Sequence, residues 1–63
     1  MDRKILIARL RQLQAIDLNA LAIYTELSAL APDAGQRNLF LDIAKDEKRH
    51  VALGQRMLLL LEQ

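Results

Sequence analysis

Ala31-Pro32-Asp33-Ala34-Gly35 is the stretch that decides the fold. Proline biases the residue before it away from the helical region, so a helix arriving from the N-terminal side ends near Ala31. Asp33 is a suitable N-cap for a helix starting at Ala34, and Gln36 three residues later can complete a capping box. Outward from this turn, Asp2 to Leu30 holds neither Gly nor Pro and is rich in Leu, Ala, Gln, Arg and Glu, all good helix formers. The sequence therefore predicts one all-α domain over 1–63, with a helix over 3–31, a turn at 32–33 and a second helix over 34–62. A connection this short makes the helices antiparallel neighbours, a two-helix hairpin.

On the first helix Leu6, Leu10, Leu13, Asp17, Ala20, Tyr24 and Leu27 recur at alternating steps of four and three. On the second, Phe40, Ile43, Glu47, His50, Gly54, Met57 and Leu61 recur at steps of three and four. Each set reads as a heptad seam. Ile16, Ile23 and Leu30 add a flanking stripe to the first helix, and Ala44, Val51 and Leu58 add one to the second. Both apolar faces are wider than a two-stranded coiled coil needs. There is no internal repeat and no low-complexity segment.

The chain has 63 residues, is 52% hydrophobic and contains one Phe, one Tyr and no Trp. A chain of this length buries only ~60% of the surface that its unfolded form exposes. Two helices cannot hide that much aliphatic surface, so a homodimer or higher homo-oligomer is expected. The absence of cysteine excludes disulfides, thiolate metal sites and iron–sulfur clusters. The net charge of +1, from 9 basic and 8 acidic residues in mixed order, makes no electrostatic case for a nucleic-acid partner. Arg3, Lys4, Arg9 and Arg11 read as a solvated helix end. The apolar run Met57 to Leu61 is too short to span a bilayer, and Arg9 interrupts any signal-like segment, so the expected compartment is cytoplasmic.

Three polar side chains stand out on the seams. Glu47 and His50 are three residues apart and project from one side of a helix, about one turn apart. Asp17 lies about fifteen residues before the turn, and Glu47 and His50 lie about fourteen to seventeen after it. At ~1.5 Å of rise per residue the three come out level. Two carboxylates and an imidazole facing one interior form half of a metal site. A two-fold partner would bring a second Asp17, Glu47 and His50, and four carboxylates would then balance two divalent cations. Without metal, such carboxylates in an apolar core would be very costly.

These residues resemble the ferritin-like superfamily, rubrerythrins and encapsulated ferritins among them. Its members carry a carboxylate seven residues before a tyrosine on one helix and Glu-x-x-His on the next. Here Asp17 and Tyr24 have that spacing, followed by Ile43-Ala44-Lys45-Asp46-Glu47-Lys48-Arg49-His50. The resemblance covers roughly Ile16 to Leu61. It implies a hairpin that dimerises into a ferritin-like four-helix bundle, the half-size arrangement of encapsulated ferritins. It further implies a di-iron cofactor shared between two chains, with Asp17, Glu47 and His50 as metal ligands, Tyr24 at the catalytic centre, and manganese or zinc as possible substitutes. The activity implied is ferroxidase: oxidation of Fe(II) by oxygen or peroxide. Encapsulated ferritins are also housed by a shell protein, so an encapsulin-type compartment is an expectation of the same resemblance. Two departures stand out. The family's first-helix ligand is usually Glu, and Asp17 is one methylene shorter. The sequence also ends at Leu61-Glu62-Gln63 with nothing resembling an encapsulin-targeting tail.

Alternative functions are a rubrerythrin-like peroxide reductase, which would need an external electron donor, and a non-catalytic helical oligomerisation module held together by metal. Each residue also has a plainer role to be weighed. Asp17 would set helix register, and His50 would be a hydrogen-bonded core histidine. Tyr24 either packs or donates to a ligand carboxylate. Met57 reads as core filler. Gly54, costly inside a helix, either admits a partner helix or leaves room for oxygen. Glu26 is expected to face outward, as are Lys45, Asp46, Lys48 and Arg49.

Overall fold

The computed structural model describes residues 2–63 and is an all-helical hairpin. Helix α1 spans Arg3–Leu30 and helix α2 spans Ala34–Leu61, each of 28 residues. Each runs one residue shorter at its C-terminus than the sequence suggests. Ala31 is already extended (φ −67°, ψ 126°), as the residue before a proline should be. Its backbone N–H still donates to Leu27 O, closing the last turn of α1.

Both helices start on an aspartate cap. Asp2 accepts from the Lys4 backbone N–H at 2.8 Å, and Asp33 accepts from that of Gly35 at 3.3 Å. Asp33 thus satisfies the second N–H of α2. The expected capping box through Gln36 is not the arrangement found among the described residues: Asp33 accepts from the N–H of Gly35 and not from that of Gln36. At the other end of the hairpin Arg3 donates to the carbonyls of Leu61 and Gln63, and Arg11 pairs with Glu62. The N-terminal basic cluster is therefore more than a solvated helix end. Two of its arginines cover carbonyls and a carboxylate at the C-terminus of α2, where the helix dipole favours positive charge.

The helices meet along a row that differs in phase from the expected seam. On α1 the half-buried or buried positions include Ile7, Leu10, Gln14, Asp17, Leu21, Tyr24 and Ser28. On α2 they are Phe40, Ala44, Glu47, Val51, Gly54, Leu58 and Leu61. The expected seam shares Leu10, Asp17, Tyr24, Phe40, Glu47, Gly54 and Leu61 with these rows. Its other members Leu6, Leu13, Ile43, His50 and Met57 are exposed, while Ala20 and Leu27 are half-buried beside the row. A 3–4 spacing has two phases that share alternate members, and hydrophobicity alone chose the phase with the bulkier residues. The hairpin takes the other, where Ser28 and Ala44 let the helices approach. These two, 6% and 7% exposed, are the only buried residues among those described.

A broad apolar face is left uncovered. Leu13, Ile43 and Met57 lie on it; Ile16, Leu39, Leu53 and Leu60 flank them at steps of three and four, neighbouring positions on a helix surface, and Ile23 follows Ile16 two turns on. Met57, expected as core filler, is 49% exposed here. The 7.2 kDa chain exposes 5072 Å², against about 4,100 Å² for a compact monomer of that mass. The hairpin has no core of its own to speak of.

Candidate metal centre

The three ligand candidates come from the middle of the two helices. One ligand atom from each of Asp17, Glu47 and His50 can be chosen so that all lie within 4.8 Å of one another. The sequence expectation that they share one height therefore holds within a single chain. Asp17 and Glu47 are half-buried on the contact row, whereas His50 stands at the edge of the open face. The Glu47 side chain is 19% exposed and that of His50 58%.

Glu47 is the unusual member. Its Oε2 is buried and has no hydrogen-bond partner, and His50 Nδ1 lies 3.9 Å away. That separation is too long for a hydrogen bond. A buried carboxylate oxygen left unpaired loses its hydration without compensation. A cation placed among the three ligand atoms would supply the missing partner. Oxygen and nitrogen donors of this kind suit iron, manganese or zinc.

Asp17 and His50 open into a cleft of about 390 Å³ between the helices. Its other walls are Leu10, Leu13, Gln14, Leu53, Gly54 and Met57. The cleft therefore joins the ligand cluster to the uncovered apolar face. On the other side of the hairpin a separate groove is lined by Asp42, Lys45 and Lys48, among others, so those charged residues face away from the ligands. Glu26 and Asp46 are exposed, as expected.

Tyr24 is half-buried two turns closer to the hairpin turn than Asp17. Its ring packs against Phe40, with centroids 6.5 Å apart and planes tilted by 34°. Of the two roles weighed for Tyr24, packing is the contact present. Its hydroxyl does not serve Glu47 Oε2, which has no partner.

Gln14 is the residue that the sequence reading passed over. A Cβ on Gly54 would come within 2.5 Å of Gln14 Oε1 and 3.0 Å of its Cδ. Gly54 thus makes room for the Gln14 amide, a role different from the two weighed for it. The signal was present in the sequence: Gln14 is three residues before Asp17, and Gly54 four after His50. Gln14 belongs to the phase of the seam that hydrophobicity did not select, while Gly54 is common to both phases.

Comparison with protein-family models, with curated proteins and with solved structures finds no match to this chain. The resemblance to ferritin-like proteins rests on the residues alone. No helix among the described residues is long and apolar enough to cross a membrane.

Proposed function

We propose that this chain is a half-size ferritin-like ferroxidase, which binds Fe(II) at Asp17, Glu47 and His50 and oxidises it with oxygen or peroxide at a site shared between two copies. One observation carries the reading: the three ligand atoms lie within 4.8 Å in one chain, around a buried Glu47 oxygen that has no other partner. The Asp17–Tyr24 spacing and the Glu47–His50 pair add the pattern of the ferritin-like superfamily.

Two features of the hairpin support the second copy. Three protein ligands leave a metal with open positions, and the cleft holding them opens onto the apolar face. An uncovered face of this extent marks an interaction surface. A like chain laid on it hides the leucines and brings the same three ligands from the other side. The ligands sit near mid-height, so a two-fold axis perpendicular to the helices superposes the half-sites with the Pro32 turns at opposite ends.

Iron held in such a cage supplies the electrons for reduction of oxygen or peroxide. The protein's part is electrostatic and positional. Asp17 and Glu47 neutralise the cations and favour the more highly charged product, and His50 adds a neutral nitrogen donor. Leu10, Leu13, Leu53 and Met57 provide apolar walls that limit water beside the ligands.

Anaerobic addition of Fe(II) followed by air tests the reading. Turnover predicts ferric absorbance that keeps growing beyond two irons per dimer. Growth that stops there would support a metal-stabilised oligomerisation module instead.

A further inference from the structure

We infer that Met57 is an oxidation-sensitive switch on self-association: hydrogen peroxide converts its thioether to the sulfoxide, and the sulfoxide keeps two copies apart. This rests on the reading above that a second copy covers the open face.

Met57 is 49% exposed in the hairpin, so a small oxidant in solution reaches it before a second copy covers it. Leu53 lies four residues before it and Leu60 three after, which puts Met57 in the middle of the apolar stripe of α2. It also lines the cleft that holds Asp17 and His50, where it carries the only sulfur; the aliphatic walls Leu10, Leu13 and Leu53 are inert to peroxide. The step is a two-electron oxygen transfer. A sulfur lone pair attacks one peroxide oxygen, and the S–O bond forms as the O–O bond breaks. The departing hydroxide takes a proton and leaves as water, so sulfur is oxidised and peroxide reduced. The product is a polar, chiral side chain in place of a flexible apolar one. Its new oxygen accepts hydrogen bonds, and the leucine walls donate none. A second copy laid over it would strip its hydration without return. Peroxide is also one of the two oxidants of the proposed reaction, so a surplus of it takes the shared site apart.

Peroxide treatment of the full chain without iron tests the inference, since no other oxidant then forms. Peptide mass spectrometry reads a single added oxygen on Met57, and sedimentation at micromolar concentration reads association. Oxidation should raise the dissociation constant of the parent about tenfold, the loss expected when a buried polar group has no partner. Methionine sulfoxide reductase should restore association. Met57→Leu, a volume-conserving change, should show no response to peroxide when compared with its own untreated sample. Met57→Gln, which carries a permanent polar oxygen of similar reach, should associate weakly without peroxide. A Met57 that resists peroxide, unchanged association once it is oxidised, or the same loss in Met57→Leu would overturn the inference alone. A parent protein that is monomeric before treatment would overturn the second copy and this inference with it.

Discussion

Glu47 sits where two requirements conflict. The contact row needs a residue that packs, and the proposed metal centre needs a carboxylate; Glu47 leaves a buried oxygen with no partner. Replacing Glu47 by Leu should therefore have opposite effects in two states. The metal-free protein should gain about 1 kcal/mol in a denaturant melt, because an unsatisfied buried group is removed. The same variant should lose the stabilisation that added Fe(II), Mn(II) or Zn(II) gives the parent, since a ligand that binds only the folded state stabilises it by linkage. Glu47→Ala should also abolish Fe(II) oxidation, followed by ferric absorbance, and unchanged rates would place the chemistry elsewhere. Asp17 and Glu47 were legible in the sequence as carboxylates on a hydrophobic row. Gln14 stood at a readable spacing but carried no charge to mark it, and an uncharged amide on a helix stands out only once the glycine opposite it is seen.

At the scale of the helix, the Asp33 cap matters because α2 carries both Glu47 and His50. Asp33→Ala should cost about 1 kcal/mol of stability, as loss of an N-cap commonly does; a melt unchanged within error would show that Pro32 alone fixes the start of α2. Ala44 permits the close approach of the two helices, so Ala44→Leu should cost roughly 1–3 kcal/mol through overpacking. The helices, the turn and the Asp33 cap could be read from propensity and from the pre-proline rule. The phase of the seam could not, because Leu6, Leu13, Ile43 and Met57 make the more hydrophobic row. In a larger domain that row would be the core. Here it is the side left uncovered, which explains both the misplaced Met57 and the half-exposed His50.

For the molecule as a whole, the uncovered leucines and the three-residue ligand cluster both support the proposed second copy. Met57→Lys places a charge on the open face beside the cleft. It should shift the protein towards monomer in sedimentation at micromolar concentration, whereas an unaltered oligomer would move the interface to another face. The parent protein should show no stable folded monomer under those conditions, for its hairpin buries only Ser28 and Ala44 among the described residues. Diffraction from iron-soaked crystals at the iron absorption edge tests the central claim most directly. The expected result is a pair of anomalous peaks within about 4 Å of each other, bounded by Asp17, Glu47 and His50 of two chains whose Pro32 turns lie at opposite ends. Iron bound away from these residues, or a Glu47 turned to solvent in the iron-loaded protein, would contradict it.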